Sequence, residues 1–237
     1  MKIALVCIAK NEDNYIEEWL KYHLKLGFDD IFIYQNNWRW SGEMSHVNKI
    51  EFDGLTKQIP AYNDFISKNN KTYDWVAFFD IDEFLVLKKH KNIKEFINDY
   101  KDLPAVGINW VLFGDNGHTK VIDDYSLLKR FTKRQNSINN HIKCIINLSK
   151  TNSMSIHNPN SVWYDTNKGQ HKGPYLTPGL DDIAQINHYF CKTRQEFLEK
   201  IKRGRADMKV SRKIDEFDKH NFNDIVDLSA YNFYYSL

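Results

Sequence analysis

One stretch limits what this chain can become more than any other: Trp-Val-Ala-Phe-Phe-Asp-Ile-Asp-Glu-Phe-Leu-Val-Leu, residues 75–87. An apolar run carries two carboxylates, Asp80 and Asp82, directly to its carboxyl end. Side chains at i and i+2 of an extended chain point to the same side, so both acids can face one ligand. Two unpaired negative charges are costly among apolar neighbours. A hard divalent cation, Mg²⁺ or Mn²⁺, would offset that cost with oxygen ligation. Taken alone, Asp-x-Asp also describes an acidic turn after a buried strand, so the rest of the chain has to decide.

The first half alternates strand and helix patterns. Strands are expected over 3–8, 30–34, 49–52, 75–79 and 105–113. A helix is expected over 13–26, where Ile16, Trp19, Leu20, His23 and Leu24 share one face. Asn11, Glu12 and Asp13 sit at its start and Gly27 at its end. A second helix opens near Pro60 and includes Tyr62, Phe65 and Ile66, and a short one falls within 93–100. This rhythm implies mostly parallel strands with helices on both faces, and such sheets bind ligands at the carboxyl ends of their strands. Lys10-Asn11-Glu12, Gln35-Asn36-Asn37 and Asp80-Ile81-Asp82 all lie at such ends. The second half reads as smaller and antiparallel, with strands over 125–132, 141–148 and 153–157. A polar loop follows over 158–182, then a basic helix over 193–213 and an aromatic end over 225–235. No internal repeat or low-complexity linker appears, so one domain over 1–237 is expected, with a nucleotide-side half to about 115 and an acceptor-side half beyond it.

The totals exclude little. A hydrophobic share of 42% suffices for a substantial core, and net charge +2 makes no case for a nucleic-acid partner, so none is expected. Cys7, Cys144 and Cys191 are odd in number, widely separated and without metal-type spacing, which suggests reduced thiols in a cytosol-like compartment. The apolar start is cut short by Lys10-Asn-Glu-Asp13 and reads as a buried strand rather than a secretory signal. No run approaches the roughly 20 apolar residues that span a bilayer. A cytoplasmic protein, compatible with peripheral attachment to a membrane, is expected.

Several pieces together resemble one family. They are Lys10-Asn-Glu12, Glu18-Trp19 with Tyr22-His23 and Gly27, Ile33-Tyr-Gln-Asn36, Gln58 with Ala61-Tyr-Asn63, and the 75–84 stretch. Downstream come Trp110-Val-Leu-Phe-Gly114, His141-Ile-Lys143, Ile186-Asn-His-Tyr189, Gln195-Glu-Phe197, Lys200 and Arg203-Gly204. In this order the chain resembles glycosyltransferase family 92 and related nucleotide-sugar glycosyltransferases of the GT-A fold. Gln35 and Asp115 depart from the pattern, standing where relatives often carry Asp and a small hydroxyl residue.

The resemblance implies an α/β GT-A fold, a Rossmann-like and mostly parallel mixed sheet flanked by helices. It implies metal-dependent transfer of a hexose, galactose or glucose, from a UDP-sugar to a saccharide or glycolipid hydroxyl, with inversion, in surface-glycan synthesis. Asp80, Asp82 and His188 would then hold Mn²⁺ or Mg²⁺. By itself His188 reads first as a satisfied core histidine, and the resemblance reverses that. Lys10, Asn11, Glu12, Asn36, Gln58 and Asn63 are candidates for the nucleotide, together with Asp80 and Lys143, a lysine placed inside an apolar strand. Asp115 is the candidate base, with Asp181 and Asp182 as rivals. Trp110, His141 and Trp163 are candidates for the acceptor. Lys172, Lys200, Arg203 and Arg205 could neutralise a diphosphate or form a solvated helix face. Two other classes fit the acids alone: a haloacid dehalogenase-type phosphohydrolase with Asp80 as nucleophile, and a non-catalytic sugar-binding module.

Overall fold

The computed structural model describes residues 1–121 and 124–236. Its elements run β1 (Ile3–Ala9), α1 (Ile16–Leu26), β2 (Asp30–Gln35), β3 (Val47–Glu51), α2 (Gln58–Asn69), β4 (Trp75–Phe78), β5 (Glu83–Leu87), α3 (Ile93–Asn98) and β6 (Ala105–Leu112). The remainder comprises α4 (Leu127–Arg130), β7 (Lys133–Arg134), β8 (Ile142–Asn147), β9 (Trp163–Tyr164), β10 (Gln170–His171), β11 (Ala184–His188), α5 (Arg194–Arg203), α6 (Asp215–His220), β12 (Ile225–Val226) and α7 (Ser229–Tyr235).

Ten strands join in one sheet, ordered β10-β9-β6-β8-β4-β1-β2-β3, with β11 branching from β6 and carrying β5. The pairs β1/β2, β1/β4, β2/β3, β6/β9 and β6/β11 are parallel, whereas β8 runs antiparallel between β4 and β6, and β5 antiparallel to β11. This is the expected α/β architecture, a mixed and mostly parallel sheet flanked by helices. The arrangement brings the carboxyl ends of β1, β4, β6 and β11 to one edge, together with the amino ends of β5 and β8.

Buried residues lie on both sheet faces. One cluster includes Leu5, Trp19, Phe79 and Phe84, and the other Val6, Tyr62, Phe65 and Phe78. α1 shows why its pattern reads as a helix. Its buried face carries Trp19, Tyr22 and His23, of which Trp19 Nε1 donates to the Glu83 carbonyl (2.8 Å) and Tyr22 Oη to that of Leu85 (2.8 Å). The helix thereby grips β5 immediately after the acidic pair. Gly27 ends α1 at φ 101°, a left-handed conformation that glycine adopts without strain.

Several local expectations are corrected. The strand expected over 75–79 is β4; beyond the turn at Asp80–Asp82 the apolar residues continue as a further strand, β5, outside those expected. Residues expected as a strand over 125–132 contain α4, because the Ser126 side chain caps a helical turn and Glu18 accepts the Leu127 N–H. Residues 153–157 form no strand, only a bridge from Met154 to Pro159. Within 158–182 lie the short strands β9 and β10. The basic helix stops at Gly204 rather than continuing to 213. At the start of α1, Glu12 contributes its carbonyl to the Tyr15 and Ile16 N–H groups, and no side chain caps the helix.

α7 lies over α1, where Tyr22 and Phe233 meet edge to face at 5.1 Å and Lys25 Nζ donates to the Tyr234 carbonyl (3.1 Å). The three cysteines are buried and unpaired. Among the described residues no helix is long and apolar enough to cross a membrane.

Candidate active site

A cleft of about 340 Å³ opens along the sheet edge where those strand ends meet. Lys10 and Glu12 reach it from the end of β1, Asp80 and Asp82 from the β4–β5 turn, Trp110 from β6, His141 from the start of β8 and His188 from the end of β11. Residues of α5, α6 and the segment between them close the opposite side.

Sheet register accounts for the pairing of Asp82 with His188. In the β5/β11 ladder Glu83 stands opposite His188, and the Tyr189 N–H continues it by donating to the Asp82 carbonyl (2.8 Å). His188 Nε2 consequently lies 3.6 Å from Asp82 Oδ1. The second Asp82 oxygen takes the Lys200 ammonium at 2.7 Å, with Lys192 at 3.8 Å. Burial alone would raise the Asp82 carboxyl; Lys200, Lys192 and His188 outweigh it and hold the group well below the usual range. Burial pushes Lys200 down to about 8 despite Asp82. It also lowers His188 against the opposing pull of Asp82, so the imidazole is neutral near pH 7. His188 Nδ1 is buried without a protein partner among the described residues.

Asp80, two residues earlier, faces the sheet. Gln58 Nε2 donates to one oxygen (3.0 Å) and Lys143 Nζ to the other (3.3 Å). Lys143 is fully buried and also lies 3.6 Å from Glu83. Burial would lower the Lys143 ammonium, but Asp80 and Glu83 raise it above its ordinary value. Glu83 accepts the Asp80 N–H, while burial pushes its carboxyl well up against the pull of Lys143.

α5 supplies the far side. Thr193 and Glu196 form a reciprocal capping box, and Glu196 also takes a bidentate pair from Arg130 (2.8 and 2.9 Å) and the Tyr15 hydroxyl (2.6 Å). Lys200 and Arg203 follow at four and seven residues, on the same helix face. Lys200 reaches Asp82. Arg203 bonds the Glu12 carboxylate and the Lys10 carbonyl, tying the helix to the end of β1.

Eight of the candidate site residues thus line one cleft: Lys10, Glu12, Gln58, Asp80, Asp82, Trp110, His141 and His188, with Lys143 buried beneath Asp80. Five are not brought there. The Asn36 amide bonds the carbonyls of Phe52 and Gly54, and the Asn63 side chain clamps the backbone of Met154. Asn11 borders a separate hollow beside Tyr15 and Lys192. Trp163 is buried over Gly107, where an added Cβ would fall 2.5 Å from the indole. The Asp115 carboxylate accepts the Gly117 N–H (2.8 Å) and the Asn223 amide (3.1 Å) in a turn. Its rivals Asp181 and Asp182 pair with Lys88 and Lys89.

Other lining residues were not singled out from sequence: His157, Asp207, Arg212, Glu216 and His220. Only the basic character of the 200–213 stretch pointed toward Arg212.

The donors suit a divalent cation in part. A carboxylate oxygen and a neutral imidazole nitrogen 3.6 Å apart can share one ion with bonds near 2.1 Å. Among the described residues no group of three or more His, Cys, Asp or Glu is arranged to hold an ion. Remaining ligands would have to come from a bound anion and water.

Residues 13–225 match the family model described as Glycosyltransferase family 92. A glycosyltransferase family 92 protein of Arabidopsis thaliana is 23% identical over 222 residues, covering 85% of this chain and 37% of the relative. One from Oryza sativa subsp. japonica is 25% identical over 129 residues, covering 49% and 22%. The chain therefore spans well under half the length of these curated relatives. HddC from Yersinia pseudotuberculosis superimposes with a TM-score of 0.40 at 10% identity, over 66% of this chain and 84% of that one. With the family match running through the acidic turn, the β11 histidine and α5, this chain belongs to glycosyltransferase family 92.

Proposed function

We propose that the chain transfers a hexose, galactose or glucose, from a UDP-sugar to a saccharide or glycolipid hydroxyl, with inversion, in the synthesis of a surface glycan. The observation that carries this reading is the convergence of Asp80, Asp82 and His188 at one end of the sheet, in an open cleft rimmed by cations. The match of residues 13–225 to a glycosyltransferase family supports this reading over a phosphohydrolase of the haloacid dehalogenase type.

Each residue has a task in this reaction. Lys10 and Glu12, at the end of β1, face the nucleoside. Gln58 and Lys143 fix the Asp80 carboxylate so that it presents one orientation to the donor. Lys200, Arg203, Arg205 and Arg212 are the cationic donors of the cleft that could turn to a departing diphosphate. Asp82 and His188 would hold a Mn²⁺ or Mg²⁺ ion, which would supply Lewis-acid stabilisation of the diphosphate oxygens. Trp110, stacked on His141 and in contact with the His188 ring, holds both imidazoles on the acceptor side of the cleft.

Calorimetry with Mn²⁺ and UDP tests the assignment. Asp82→Asn and His188→Ala should each weaken UDP binding in Mn²⁺ at least tenfold, about 1.4 kcal/mol, with thermal melting confirming that each variant folds. Unchanged binding in both variants removes the metal site. A wild-type protein that neither binds UDP nor releases it from UDP-galactose or UDP-glucose removes the transferase reading itself.

A further inference from the structure

We propose that His141 is the catalytic base, taking the acceptor proton on Nε2 while Asn139 holds the ring. This rests on the transferase reading and identifies a group that reading leaves open.

Geometry comes first. Asn139 Oδ1 accepts two bonds from the same residue, the His141 backbone N–H (3.0 Å) and Nδ1 (2.9 Å). An oxygen that already accepts a backbone N–H accepts from the ring as well, so Nδ1 carries the proton and Nε2 keeps its lone pair. Nε2 has no protein partner among the described residues, and His141 is half-buried in the cleft wall. Backbone bonds lock the residue against β6, with the Trp110 N–H donating to the His141 carbonyl (2.9 Å). The imidazole stacks on Trp110 at 5.0 Å and 20°. The same indole meets the His188 ring at 4.3 Å. The free nitrogen therefore sits in the cleft wall, across one indole from His188 and the proposed diphosphate end.

The other cleft groups are less suited. Asp80, Asp82, Glu12 and Asp207 are engaged by Lys143, Lys200, Arg203 and Arg205. His157 is more deeply buried and held down to about 3, by burial and then by Lys143. His220 donates Nδ1 to the Glu216 carbonyl but packs at a tilt against Phe190, on the α5–α6 side. Burial, then His188 and His220, lower His141 from its ordinary value, leaving it neutral near pH 7. The titratable groups around it are His157, Tyr175, His188 and His220.

The step balances. The acceptor oxygen attacks the anomeric carbon, and the bond from that carbon to the phosphate oxygen breaks with its electron pair leaving on the diphosphate. The hydroxyl proton passes to His141 Nε2 and later to water.

The experiment measures UDP release from UDP-galactose and UDP-glucose with water as nucleophile, alongside UDP binding. His141→Gln should lower kcat by about 10² while UDP affinity stays within twofold. The acidic limb of the wild-type rate profile, below pH 6.5, should vanish in His141→Gln. Imidazole added to His141→Ala should restore at least tenfold of the lost rate. His141→Gln within threefold of wild type overturns the base, as does a larger loss in His220→Gln. No release by wild type strikes instead at the donor reading on which the base depends.

Discussion

Asp80 and Asp82 are two residues apart in one turn, yet they belong to differently built regions. The floor of the cleft is Asp80 with Gln58 and Lys143, all mounted on or against the central sheet. The wall is Asp82 with His188, Lys200 and Arg203, where the cations arrive on α5, more than a hundred residues later. The floor is held by strand ladders and apolar packing on two sheet faces. In the wall, Asp82 and His188 sit on the β5/β11 ladder, but the α5 side is held by charge: the Arg130–Glu196–Tyr15 cluster anchors α5, and Lys200 and Arg203 tie it to the sheet. Identical acids in one turn therefore have unlike dependence on the rest of the molecule. Damage to the floor should be global, whereas damage to the wall should be local.

The largest expected effect tests the floor. Lys143→Met leaves the fully buried Glu83 and the cleft-facing Asp80 without their shared ammonium. Losing one partner of a buried charged cluster costs about 3–5 kcal/mol, read as a shift of the whole urea transition. If instead only the α5 region became labile, floor and wall would not be separately held.

Next comes the wall. Burial would raise the Glu196 carboxyl, but its bonds to Arg130, Thr193 and Tyr15 hold it down to about 2. A depressed folded-state value contributes stability that is present above about pH 4.5 and lost as pH falls toward 2. The depression corresponds to about 3 kcal/mol. Glu196→Gln should forfeit most of this near pH 7, with amide exchange accelerating in α5 while β1, β4 and β6 stay protected. Acidifying the wild type through the same window should release α5 before the sheet. Simultaneous loss of both would show that the wall is no separate unit.

The same contrast explains how much was legible in sequence. β1, α1, β2 and the acidic turn are local patterns. Their apolar periods match the elements they form, and Gly27 stops α1 where its backbone turns left-handed. The wall depends on long-range partners. Lys143 drew notice because a lysine inside an apolar strand demands a counter-charge. Lys200 looked like one member of a basic run, although Glu196, Lys200 and Arg203 share a helix face. Residues 125–132 look strand-like because Tyr125, Phe131 and Thr132 favour extended chain. The helical turn α4 is set instead by the Ser126 cap and by Glu18, over a hundred residues earlier. Trp163 resembled a sugar platform only because nothing local revealed that Gly107 would leave room for its ring.

The smallest expected effect concerns an acid outside both regions. Asp115 resembles a base by position, at the end of β6 after Phe113-Gly114, but its carboxylate closes a turn. One oxygen accepts the Gly117 N–H and the Asn223 amide, while the Asp115 N–H donates to Asn221. Asparagine at 115 keeps a carbonyl oxygen that can accept both bonds, so Asp115→Asn should alter stability by no more than about 0.5 kcal/mol. UDP release should stay within threefold of wild type, against the hundredfold loss expected for His141→Gln. The two variants together discriminate sharply, because each exchanges a titratable group for an amide of similar size. A hundredfold loss in Asp115→Asn with unchanged UDP affinity would mean that the turn opens during the reaction and delivers its carboxylate to the cleft, and His141 would then serve only as a surface for the acceptor.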